Sequence, residues 1–170
     1  LAFGCNGNVI AYDVATKETT SIALPNEEAR VSTIKHHTDS TYYLTNYKEG
    51  ENPTTKLGVI NSETNEFTLV ELPAAYGSGV LVAADNIGYV QAENGILYKI
   101  DLAKAQIVEE IDAIQAFNLE EEKISLALVN NEVLIVVPNA NAILQVHGDH
   151  VHQVADLDVE PTGVLSVTAY

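Results

Sequence analysis

The 170-residue chain has one cysteine, no tryptophan, no methionine and only eight lysines and arginines. The shortage of cationic side chains excludes most. Against 24 aspartates and glutamates it leaves a formal net charge of −16. Phosphate backbones are held by clustered Lys and Arg, so nucleic acid is excluded as a partner, and so is docking on an anionic lipid surface. A field of this sign raises the local concentration of cations, and it also keeps a protein soluble. No apolar run approaches the roughly 20 residues that cross a bilayer, and the longest candidate, "VLIVVP" (133–138), has the length of a buried strand. Cys5 has no second cysteine here to pair with. In an intracellular protein it is expected in the core, and in an exported one it is expected to find a partner on a segment outside this chain. The first residue is Leu1, so the chain reads as processed, trimmed or part of a longer one.

The chemistry-bearing signatures of most enzymes are also missing. The glycines of "GSG" (77–79) do not stand in a strand-to-helix phosphate motif. No Ser or Cys nucleophile sits in a recognisable local signature, and no carboxylates form a spaced acid/base pair. The expectation is that the protein is not an enzyme.

What is present is a repeat. Four stretches align: "VIAYDVATKETTSIAL" (9–24), "LGVINSETNEFTLVEL" (57–72), "ILYKIDLAKAQIVEEI" (96–111) and "AILQVHGDHVHQVADL" (142–157). Each is an apolar strand, a polar marker residue, a short turn and an alternating strand. The markers Asp13, Asn61, Asp101 and His147 are 48, 40 and 46 residues apart. Two shorter β-type runs precede each stretch after the first. Turn dipeptides such as Asn94-Gly95 and Asn130-Asn131 separate strands, and no segment has a helical period. Four strands per unit at this spacing predicts an all-β chain, a β-propeller of four-stranded antiparallel blades. The expected units are about 1–28, 29–78, 79–112 and 113–158, followed by a final strand at 162–170 in a single domain. That strand either completes the first unit and closes a four-bladed ring, or the chain is part of a larger propeller, and the second is expected. A two-sheet sandwich, the structural competitor, does not predict a regular four-strand period. The run "LEEEK" (119–123) and the stretch "NYKEGENPTTK" (46–56) read as solvated loops.

Three of the five histidines fall within "HGDHVH" (147–152). With a two-residue turn at Gly148-Asp149, His147 faces His150 and Gln145 faces His152. Alternation then puts His147, His150 and His152 on one face and Val146 and Val151 on the other. A four-residue loop, as in the third unit, would set His147 opposite His152 instead. In either register imidazoles at cross-strand spacing can converge on one ion. Three neutral imidazoles suit Zn2+ first, with copper or nickel as alternatives. Asp149, Asp156 or a group outside this chain could supply a fourth ligand. The competing reading is an exposed hairpin whose histidines bind nothing. His36 and His37, with Asp39 in "KHHTDS" (35–40), are weaker metal candidates, because adjacent strand residues point apart unless the chain turns there.

The "HGDHVH" segment resembles the H-x-x-H-x-H histidine-triad motif of bacterial extracytoplasmic zinc-handling proteins. The opening "LAFGCNGNVIAYD", followed by propeller-type repeats, is similar to the AztD-type periplasmic zinc metallochaperones. Only His147, His150 and His152 match a motif residue by residue. The resemblance implies a propeller located in the periplasm or at the cell surface, with zinc as its ligand. It further implies delivery to the solute-binding protein of a zinc ABC importer. Two other readings are a cell-surface scaffold for protein or carbohydrate with incidental histidines and, more remotely, a propeller enzyme.

Overall fold

A computed structural model gives the fold and describes residues 1–50, 54–113 and 124–158. Among these residues every regular element is a β-strand apart from one 3-10 turn at Pro138–Ala140, and every strand pairing is antiparallel. The first unit contributes β1 (Ala2–Gly4), β2 (Asn8–Tyr12) and β3 (Thr19–Ala23). Next come β4 (Ile34–Lys35), β5 (Tyr42–Asn46), β6 (Thr54–Asn61) and β7 (Phe67–Ala84), then β8 (Ile87–Ala92), β9 (Ile96–Asp101) and β10 (Gln106–Asp112). The fourth unit is β11 (Ser125–Val129), β12 (Glu132–Val137), β13 (Ala142–His147) and β14 (His150–Asp156). Within each sheet neighbours in sequence are neighbours in space, the meander expected of such a repeat. The expected final strand at 162–170 and the run 119–123 lie outside the described residues, as do residues 51–53 of the polar loop.

A break between the second and third units was expected at 78/79, yet β7 runs unbroken through it and joins β4–β10 into one seven-stranded sheet. The first half of β7 pairs with β6 over Phe67–Glu71, the second half with β8 over Leu81–Ala84. Tyr76 is the pivot: its backbone is opposite Thr54 on one side and Ala92 on the other. Its side chain is buried, and its hydroxyl donates to the Lys56 carbonyl at 2.7 Å. Burial pushes the Tyr76 hydroxyl pKa well above the usual phenol value.

The core lies between units. Val9, Ile22 and Leu24 of the first pack against Tyr47 and Ile60 of the second. Leu44, Leu57 and Val70 of the second pack against Val90, Tyr98 and Ile100 of the third. Leu97 and Ile111 of the third pack against Ile135, Val137 and Leu144 of the fourth. Leu57 and Ile60 go to opposite sides, as do Leu97 and Ile100, so the inner strands carry apolar residues on both faces. This is the face-to-face stacking of a quasi-one-dimensional repeat.

Candidate metal centre

The hairpin between the last two strands of each unit takes one of two forms. In the first three units the marker residue caps a four-residue loop. Asp13 Oδ1 accepts the backbone N–H groups of Ala15 and Thr16 at 2.7 and 3.1 Å. Asn61 Oδ1 accepts those of Glu63 and Thr64 at 2.9 and 3.2 Å, and Asp101 Oδ1 accepts that of Lys104 at 3.0 Å. These are Asx turns. Each loop closes with a residue at positive φ: Lys17, Asn65 and Ala105, at 64°, 58° and 51°. The backbone bonds lower the Asp13 carboxyl pKa below the usual carboxylate value, and the Lys104 ammonium does the same for Asp101.

The fourth hairpin has lost this device. Its marker is His147, and the loop is two residues shorter, Gly148-Asp149, with His147 paired directly to His150 and Gln145 to His152. Of the two registers open to the sequence, the structure takes this one and not the four-residue loop that would set His147 against His152. The reason is local. Gly148 adopts φ 62° while Asp149 stays at negative φ, the pattern of a II′ turn, whose twist matches a two-stranded ribbon. Val146 and Val151 pack onto the core shared with the third unit, which turns His147, His150 and His152 outward on the opposite face.

The His147 ring is central to the set, with centroids 5.6 Å from His150 and 6.1 Å from His152 and both pairs edge-on. The ring nitrogens are not drawn to within 4.8 Å of one another in this conformation. Gathering them takes side-chain rotation at three exposed positions, while the backbone spacing is already that of cross-strand neighbours. Of the candidate fourth ligands, Asp149 is at hand. Its Oδ1 lies 3.1 Å from His150 Nδ1, a contact that lowers the Asp149 carboxyl pKa. A proton on Nδ1 donated to that carboxylate leaves Nε2 free to ligate, the carboxylate–histidine arrangement of many metal sites. Asp156 is engaged elsewhere, accepting from Gln153 Nε2.

The second set of candidates separates. His36 stacks on Tyr43 at 4.4 Å, and its Nε2 lies 2.8 Å from the Ser40 carbonyl oxygen, so it is not part of a cluster. His37 turns the other way, with its Nδ1 3.8 Å from Asp39 Oδ2 and 3.7 Å from Asp85 Oδ1. His37, Asp39 and Asp85 are the one group among the described residues whose ligand atoms all lie within 4.8 Å of one another. Asp85 was not singled out from the sequence. The signal lay in the repeat, since 46 residues separate Asp39 from Asp85 and Asp85 from Asn131. Cys5 is free and exposed, not part of a core.

No protein-family model matches the sequence, and no curated protein matches it. The fold, however, is similar to that of solved structures. Apo AztD from Citrobacter koseri superposes with a TM-score of 0.70 at 19% identity, over 94% of this chain and 45% of that one. A second structure of Citrobacter koseri AztD gives 0.69 at 18%, over 99% and 48%. The computationally designed protein Ika8 gives 0.62 at 14%, over 99% and 49%. The chain thus spans about half the length of each. At these identities the likeness is one of fold: an all-β, propeller-type arrangement.

Proposed function

We propose that this chain belongs to a zinc-binding β-propeller that acts outside the cytoplasm, in the periplasm or at the cell surface, as a metallochaperone or scavenger supplying zinc to an ABC importer. The observation that carries the reading is the fourth hairpin. Three histidines share one solvent-facing side of a two-residue turn, at the repeat position where the sister units carry Asx turns. The AztD-like fold supports it, and the wider activity, including the partner, is inferred from the AztD-type resemblance.

In this reading His147, His150 and His152 hold Zn2+, and Asp149 orients His150. The role is carriage and transfer, with no catalysis. Exposure of all three imidazoles leaves a bound ion open to a competing ligand set on another protein, as transfer requires. The surplus of carboxylates favours cation capture. Protons compete for imidazole lone pairs, so binding weakens as pH falls.

The test is calorimetric titration of metal-free protein with ZnCl2, beside a variant with His147, His150 and His152 all changed to Ala. The reading requires a dissociation constant below about 10 μM and its loss from the hairpin in the variant. Unchanged binding in the variant would favour a surface scaffold with incidental histidines. A partner captured equally well with and without chelator would favour it too.

A further inference from the structure

We propose that His37, Asp39 and Asp85 form a second divalent-cation site, assembled from two successive repeat units and held in shape by Asn131 of a third. The proposal rests on the zinc-carrying reading for its biological sense but not for its geometry.

Donors 2.0–2.2 Å from a tetrahedral ion lie about 3.4 Å from one another. His37 Nδ1 lies 3.8 and 3.7 Å from the Asp39 and Asp85 carboxylate oxygens, close to such edges and too long for hydrogen bonds, and the long 3.3 Å bond it accepts from the Asp39 backbone N–H is the one an ion would displace. Nothing else discharges the carboxylates: among the described residues no Lys or Arg pairs with Asp39 or Asp85. His37 is partly buried, with 24% of its side chain exposed, while Asp85 and Asp39 are open at 49% and 77%. An ion would therefore sit at the surface, with water completing its shell.

The frame is built before any ion arrives. Ser40 Oγ donates to Asn86 Oδ1 at 2.8 Å, and the Thr41 N–H donates to the same oxygen at 3.1 Å. These bonds clamp the His37 turn of the second unit onto the Asp85-Asn86 turn of the third. Asp85 and Asn86 both have positive φ, 49° and 63°, forming a I′ turn that fixes the direction of the Asp85 side chain. Asn131, at φ 67° in the equivalent turn of the fourth unit, donates from Nδ2 to Asp85 Oδ2. That bond occupies one carboxylate oxygen and leaves Oδ1 towards His37. Asn131 is thus a positioning residue that touches no ion. One imidazole and two carboxylates suit zinc or manganese better than the all-oxygen preference of calcium. Fewer imidazoles and more water make this site weaker and faster to exchange than the triad, as a transient station needs.

The experiment uses ZnCl2 as probe on the variant lacking His147, His150 and His152, so that the two sites are read apart. We expect one residual equivalent, which His37→Gln with Asp85→Asn abolishes. Asn131→Ala is expected to weaken it about 10-fold or more, while the unfolding midpoint of the metal-free protein falls only by the strain of alanine at φ 67°. No residual equivalent, or one that survives His37→Gln with Asp85→Asn, overturns the site. Full affinity in Asn131→Ala overturns the positioning role. Conversely, zinc bound only by the residual site would sink the triad reading and leave this one standing.

Discussion

The hairpin of the fourth unit and that of the third do the same structural job by different means. In the third, Asp101 folds back on its own loop and Ala105 takes the left-handed conformation that ends it. In the fourth, two residues are gone, a glycine supplies the positive φ, and the marker side chain is released from the backbone. A side chain that caps its own turn has committed its lone pairs, whereas one beyond a II′ turn has them free. The difference shows how a repeat can free a marker residue: the turn is rebuilt so that the side chain it held becomes available, while the strands on either side still pair.

The comparison can be broken at several points, the largest effect first. His147→Ala should cost zinc binding at the hairpin about 100-fold, and His150→Ala or His152→Ala roughly 10-fold each, because His147 alone is near both other rings. Equal losses in a calorimetric series would remove its central place. Gly148→Val should destabilise the protein by about 1–2 kcal/mol in urea unfolding and loosen zinc with it. No atom lies within 4 Å of a Cβ there, so the cost is backbone strain alone, and an unchanged midpoint would argue against the II′ turn. Asp101→Ala should lower the urea unfolding midpoint through loss of its loop bonds with zinc affinity untouched, the reverse of the histidine variants. A drop in zinc affinity on that substitution would mean the two hairpins are not independent. The smallest effect concerns pH. Asp13 is held below its usual value by two backbone N–H groups, so the folded state binds fewer protons than the unfolded. Its contribution is present above about pH 4 and fades as pH falls through the lowered value. An NMR titration of Asp13 moving with its random-coil value would remove that distinction from a neutral cap such as Asn61.

The parts that were legible in the sequence are those governed by nearest neighbours. Alternation placed the strands, the markers placed the hairpins, and Gly148-Asp149 offered the two-residue turn that puts the three histidines on one face, with the four-residue register open until the pairing was seen. The continuity of β7 was not legible. "PAAYGSG" (73–79) has the composition of a linker, and only pairing on both sides of Tyr76 makes it strand. Asp85 was missed for a related reason. It meets His37 through the stacking of one unit on the next, which local pattern does not encode, although the 46-residue period carried a trace of it. His36 stands apart from His37 and Asp85, its ring stacked on Tyr43.

The unbroken β7 also bears on how the molecule comes apart. Repeat arrays usually fray unit by unit, each interface a possible seam. Here the second and third units share a strand, so opening one should expose the ladder of the other, and amide exchange across β5–β9 should report a single cooperative block. A protease or a designer looking for a place to divide the chain would find a poor one at 73–79, where the sequence looks most like a joint.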